Sequence, residues 1–139
     1  MSARAKTKGA GGEREIIQPI FDNLGYRLKR NLDQTRSGGA DLICDDPSFP
    51  FAIEVKRRRD GWTHAPAWWQ QVEEACKGTR MLPVLIYRFD RRPWRCVMRV
   101  NTISFALGGT LDHPAQLTCT IDLDTFYYIA REFISARAA

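Results

Sequence analysis

Apolar positions along the chain recur with different periods, and each period predicts an element. Ile16, Ile17, Ile20, Phe21 and Leu24 fall at helical spacing, so Glu13–Leu24 is expected as an amphipathic helix stopped by Gly25. Pro19 lies inside it and predicts a kink, or regular helix only beyond it, because its ring removes a donor and crowds the preceding turn. Tyr26–Asn31 and Ala40–Cys44 read as strands on either side of a polar loop, Asp33–Gly39. Asp45-Asp46-Pro47 turns the chain into a third strand, Pro50–Lys56. Ala65–Lys77 reads as a helix ending near Gly78. Pro83–Phe89 and Trp94–Val100 pair as a hairpin around Asp90–Pro93. Asn101–Gln116 reads as irregular, Leu117–Leu123 as a strand and Asp124–Arg137 as a terminal helix capped by Asp124. No internal repeat is visible, and this order predicts an α/β sandwich built around a mixed sheet flanked by helices.

A chain of 139 residues has room for one core, so residues 13–139 are expected as a single domain behind a basic, Gly/Ala-rich, flexible arm over residues 1–12. No stretch has transmembrane length and the N-terminus lacks an apolar signal core, so a membrane or secreted location is not expected. Cys44, Cys76, Cys96 and Cys119 are scattered, with no CxxC pair and only two histidines in the chain, which argues against a zinc site. Reduced thiols suit a cytoplasmic protein. No Ser/His/Asp or Cys/His nucleophilic system is expected: His64 and His113 are isolated in the sequence, each beside a Pro-containing loop, and surface or structural roles are expected for them.

Charge changes the picture. The net charge is +5, and the basic residues cluster: Arg57-Arg58-Arg59 follow the third strand, Arg91-Arg92 and Arg95 flank the hairpin turn, and Arg4, Lys6 and Lys8 lie near the N-terminus. Such clusters fit a polyanionic partner, because Lys and Arg contacts to phosphate supply most sequence-independent affinity for nucleic acid.

The chemistry concentrates in GGADLICDDPSFPFAIEVKRR. Side chains alternate along a strand, so Glu54 and Lys56 share one face while Ile53 and Val55 share the other. Asp41, at the head of the preceding strand, falls beside Glu54 if the two strands are neighbours. Two carboxylates that close repel unless a cation sits between them, and hard oxygen ligands suit Mg²⁺ or Mn²⁺. An ionisable pair inside the strand Pro50–Lys56, whose Phe51, Ala52, Ile53 and Val55 are apolar, is unusual for a strand that decorates a surface.

The same residues carry a resemblance. Asp41 followed by Glu54-x-Lys56 resembles the PD-(D/E)xK nucleases. Lys8 to Gly12 running into Glu13-Arg14-Glu15 resembles the opening of archaeal-type Holliday junction resolvases. Gly25-Tyr26, the loop Ser37-Gly38-Gly39, Asp41, Ile53–Lys56, Pro83-Val84-Leu85 and Trp94-Arg95 follow in that family's order, over roughly residues 8–100. Trp68-Trp69-Gln70-Gln71 is similar to a helix of small phage and bacterial endonucleases. The sequence departs from the resolvase pattern at Pro19 and in a longer loop containing Asp33 and Arg36, and residues from Asn101 onward match nothing in it.

The resemblance implies a restriction-endonuclease-like fold in which Asp41, Glu54 and the Val55 carbonyl hold Mg²⁺, with Mn²⁺ as a substitute. Lys56 would contact the scissile phosphate or the attacking water. Glu13 would act on the metal directly or through water, ahead of its neighbour Glu15. Either Gln70 or Gln71 would face the site, with Gln71 favoured. Lys8, Arg14, Arg36, Ser37, Arg57, Arg58 and Arg59 are the candidate DNA contacts. The implied enzyme is an endonuclease for branched DNA such as a four-way junction, acting as a homodimer because symmetric cutting needs two sites on a two-fold axis. Two alternatives stay open: a nicking, restriction or repair nuclease of the same fold, and a non-catalytic DNA-binding accessory module. Trp62, Trp68 and Trp69 could stack on unpaired bases, although core or dimer packing is the commoner use of such residues.

Overall fold

Residues 3–32 and 39–138 are described by the structure, a computed structural model, with side chains from Gly11 onward. Strands β1 (Leu28–Arg30), β2 (Leu42–Cys44), β3 (Phe51–Arg58), β4 (Leu82–Phe89), β5 (Arg95–Arg99) and β6 (Thr118–Asp122) form one six-stranded sheet in that spatial order. β3 and β4 are parallel, in register from Phe51 opposite Leu82 to Arg58 opposite Phe89, and all other neighbours are antiparallel. A parallel pair needs a crossover, which α2 (Pro66–Cys76) supplies. The other helices among the described residues are α1 (Ala3–Leu24), α3 (Val100–Ala106) and α4 (Leu123–Ala138). This is the α/β sandwich around a mixed sheet that the sequence predicts.

Alternation along β3 sets the layers. Phe51, Ile53 and Val55 join Ile16 and Ile20 of α1 and Phe126 and Phe133 of α4 in the main core. Ala52 packs instead with Cys76 of α2, while Leu85, Tyr87 and Phe89 of β4 meet Trp69 and Val72 of the same helix. α1 and α4 therefore cover one face and α2 the other, and Glu54 and Lys56 belong to the α2 face.

Several expectations are corrected. α1 begins at Ala3, so residues 3–12, expected as an arm, continue the helix. Ala, Arg and Lys favour helix there. Gly12 lets the helix lie flat on β3, since a Cβ at that position would stand 3.2 Å from the Arg57 Cβ. Pro19 does not break α1, because Ile16 and Ile20 on either side are fully engaged in the core and their packing outweighs the lost backbone bond. Residues 100–106, expected as irregular apart from Val100 at the end of a strand, form α3, with Thr102 and Ala106 buried. The cap of α4 is Asp122, whose Oδ1 accepts the Thr125 N–H at 2.7 Å, in place of Asp124. Cys44, Cys76, Cys96 and Cys119 are free thiols. No helix among the described residues is long and apolar enough to cross a membrane.

Candidate active site

Asp41 stands at the entry to β2, fixed there by the backbone around it. Its carbonyl accepts the Asn31 N–H at 2.8 Å, and the Asn31 side-chain amide donates to the Ala40 carbonyl at 3.0 Å. Its carboxylate reaches across to the next strand, where Oδ2 accepts the Val55 N–H at 2.8 Å. The acid of β2 is thus bound to the residue between Glu54 and Lys56.

Glu54 has 0% of its surface exposed. Burial pushes its carboxyl up to about 9, helped by the Asp41 charge and a hydrogen bond with Asp41, while Lys56 pulls the other way. A carboxyl in that environment stays protonated at neutral pH unless a cation offsets its charge. Cys76 of α2 packs against Ala40 and Ala52 on this face, and burial pushes its thiol up to about 11, with Arg99 lowering it and Glu73 and Glu54 raising it. Cys76 is therefore uncharged at neutral pH and acts as packing.

Glu13 reaches the site from α1. Burial raises its carboxyl, the Arg30 hydrogen bond lowers it, and the Asp41 charge raises it again. Arg30 Nε donates to Glu13 Oε2 at 3.1 Å, so one oxygen of Glu13 is already engaged. Glu15 is directed to a different network: it pairs with Arg57 and, at 3.3 Å, with Arg88. Of the two helix acids, Glu13 is the one raised by the Asp41 charge and the one that in turn raises Glu54.

The donor chemistry fits a hard divalent cation: Asp41 and Glu54 are adjacent carboxyl groups, the Asp41 charge disfavours ionisation of Glu54, and both lie next to the Val55 backbone. Among the described residues no group of three or more His, Cys, Asp or Glu side chains is placed to hold a metal ion. A cation there would be completed by the Val55 carbonyl, water and phosphate oxygens, as suits Mg²⁺, which keeps several waters.

The basic residues divide by position. Arg57 lies on the α1 face, taken up by Glu15 and, at 3.7 Å, by Asp90. Arg58 is half-buried, donating to the Arg57 carbonyl and lying 5.5 Å from the Trp68 ring centre. Arg59 is 68% exposed beside Asp60, and Arg14 is exposed on α1. The three consecutive arginines are therefore not one phosphate-facing cluster, because alternation sends Arg57 and Arg58 to opposite faces. Arg36 and Ser37 lie outside the described residues, as does the Lys8 side chain.

Gln70 and Gln71 are both exposed on α2, whose buried stripe is Trp69, Val72 and Cys76. Glu73 of that helix pairs with Arg99 of β5 at 3.5 Å. At about 100° per residue, Gln71 lies on the flank opposite Glu73 and Gln70 on the same side as Glu73, both turned away from the buried stripe. Sequence reasoning missed Arg30 and Asn31, which hold Glu13 and the Asp41 backbone. It also missed Arg88 and Asp90, which tie down Glu15 and Arg57. Long-range pairs of this kind leave no periodic signal.

An acid at the head of one strand and a buried Glu-x-Lys in its neighbour define the class, that of the PD-(D/E)xK nucleases. The family described as "Phage putative PDDEXK endonuclease" matches residues 4–127, and the chain belongs to that family. Among solved structures the chain is similar to Hjc, a Holliday junction resolvase from the archaeal hyperthermophile Archaeoglobus fulgidus. Identity is 15%, coverage is 86% of this chain and 87% of that one, and the TM-score is 0.49. No curated protein matches the chain.

Proposed function

We propose that the protein is a Mg²⁺-dependent endodeoxyribonuclease that hydrolyses phosphodiester bonds in branched DNA as a homodimer, with Mn²⁺ able to substitute. The observation that carries this reading is Glu54, fully buried beside Asp41 and on the same strand face as Lys56. A glutamate placed there at a cost in stability is explained by work it does with a cation. Branched DNA is favoured by the series of motifs from Lys8 to Arg95 that resembles junction resolvases, and the cytoplasm is the compartment proposed with it.

Bound between Asp41, Glu54 and the Val55 carbonyl, a divalent cation would supply Lewis-acid stabilisation of phosphate charge and a more acidic water. The protein's own residues do the rest. Asp41 is held against β3 by the Val55 N–H, which binds its Oδ2. Lys56 sets an ammonium beside the acids, where the phosphate's developing charge would meet it. Glu13, oriented by Arg30, is positioned to act through a water. Gln71 lies on the flank from which it could contact the substrate.

Cleavage of an immobile four-way junction beside a linear duplex of the same sequence, with Mg²⁺ and with EDTA, tests the reading. Paired symmetric nicks in the junction alone, lost in EDTA, are expected. Equal cutting of both substrates would replace branched DNA by duplex as the substrate. Binding without cutting of either would overturn the catalytic reading.

A further inference from the structure

Beyond the acids, the α2 face carries a second feature at the far end of β4. Trp62, Tyr87, Phe89, Arg92, Pro93 and Arg95 line a cavity of about 130 Å³. Trp62 is 77% exposed, the most exposed of the large hydrophobic side chains. The Arg92 guanidinium lies over the indole ring, 3.9 Å from its centre. A more open, polar hollow of about 450 Å³ adjoins it, sharing Phe89 and Arg92 and bordered by Arg59, Asp60, Gly61, Asp90 and Arg91. An aromatic cleft thus opens directly onto an arginine-lined one.

The backbone is specialised to build this pair. Gly61 passes so close to the Phe89 ring that a Cβ would stand 2.2 Å from it, and its φ of +152° disfavours any side chain. That approach lays the loop before α2 over Phe89 and delivers Trp62 to the rim. Arg91 has a φ of 66°, the left-handed conformation that Gly or Asn adopts more readily. An arginine in that position keeps a cation at the turn at the expense of backbone ease. The cavity adjoins the strand position of Lys56: Tyr87 is the register partner of Lys56 across β3 and β4, and both belong to the α2 face.

We propose that this cleft is a subsite for one unpaired nucleobase of the DNA strand being cut, stacked on Trp62, with its phosphate held by Arg59, Arg91 and Arg92. The proposal rests on the nuclease reading and deepens it by naming what the enzyme would recognise. A paired base inside a duplex presents only its edges, whereas a base at a branch point or single-stranded flap offers the flat face that an exposed indole stacks on. Trp62 was a candidate for this role together with Trp68 and Trp69. The structure separates them, because Trp69 is buried and Trp68 is packed against Tyr87 and Phe89.

The test uses the full chain, Ca²⁺ in place of Mg²⁺ to hold substrate uncut, and DNA carrying 2-aminopurine at an unpaired position next to the branch. Wild type is expected to quench the 2-aminopurine and to bind this DNA more tightly than a fully paired duplex. Trp62→Ala should lose the quenching and weaken binding to the branched DNA roughly tenfold, with duplex affinity unchanged. Trp62→Phe should restore most of both. Equal quenching and affinity in wild type and Trp62→Ala would overturn the subsite, whether or not Mg²⁺ supports cleavage. Trp62-dependent quenching without cleavage in Mg²⁺ would leave the subsite standing and remove the nuclease reading instead.

Discussion

The N–H of Val55 donates to Oδ2 of Asp41 at 2.8 Å, across the β2–β3 pair. This one bond makes Asp41 both a structural and a chemical residue, because it ties the head of β2 to the strand that carries Glu54 and Lys56. β2 pairs with β3 through a single register position, Leu42 opposite Ile53, so the side-chain bond also helps hold a short ladder together.

The two roles of Asp41 separate by choice of substitution. Asp41→Asn keeps a carbonyl oxygen for the Val55 N–H but removes the negative charge. It is expected to fold with near-normal stability, retain DNA binding and lose cleavage by on the order of 10²-fold or more. Asp41→Ala should lose about 1–2 kcal/mol of stability as well, because the N–H is left without its acceptor. Nuclease assays beside urea denaturation read both effects, and near-normal cleavage by Asp41→Asn would refute the assignment.

Glu54 gives a pH signature. Its folded carboxyl is raised to about 9 by burial, then by Asp41 and more weakly by Glu13, against the lowering effect of Lys56. Below about pH 4.3 the group is protonated folded and unfolded, so it carries no penalty. As the pH rises toward 9 the unfolded chain ionises freely while the fold holds the proton, and stability falls across that window. Glu54→Gln can keep a donor toward Asp41 without titrating. At pH 7–8 without divalent ions it is expected to be more stable than wild type by on the order of a few kcal/mol, with a higher Tm. Mg²⁺ should raise the Tm of wild type and leave that of the variant little changed. A variant that melts below wild type at pH 8 in EDTA would contradict the buried-acid account.

The parts legible in the sequence are those with a local signal. Alternation located β3 and set Glu54 and Lys56 on one face, and the acid at the head of the preceding strand lay within hydrogen-bonding reach of that strand. What the sequence hid depends on contacts distant along the chain. The continuity of α1 through Pro19 reflects the burial of Ile16 and Ile20, and α3 exists because its short apolar face meets α4. The arginine run looked like one patch because the strand was expected to end at Lys56, whereas β3 runs on to Arg58 and sends Arg57 and Arg58 to opposite faces. Trp62 and Arg92 are thirty positions apart and meet only because the loop at Gly61 lies over Phe89.

Arg57 and Arg59 should therefore behave differently. Arg59→Ala is expected to weaken DNA binding and lower the slope of log affinity against log salt by about one, as for a lost phosphate contact. Arg57→Ala removes a cation paired with Glu15 and Asp90, leaving Glu15 with Arg88, and should cost about 1–3 kcal/mol of stability. Titrations at several salt concentrations and denaturation curves distinguish them. A salt slope altered by Arg57→Ala with unchanged stability would reverse this division.

Gly12 sets how closely α1 approaches β3, and with it where Glu13 sits. A Cβ there would meet the Arg57 Cβ at 3.2 Å, with Val55 and Trp94 each at 3.5 Å. Gly12→Ala gains about 1 kcal/mol of helix propensity and loses a similar amount to the tight contact, since a Cβ on the facing strand yields little. Its net effect should lie within about 1 kcal/mol of wild type. Gly12→Leu has no room and must lift α1, losing about 2–3 kcal/mol and carrying Glu13 away from Asp41. Cleavage by Gly12→Leu is expected to fall even where the variant remains folded, while Gly12→Ala stays active. Wild-type stability and cleavage in Gly12→Leu would show that the approach of α1 to β3 does not position the site.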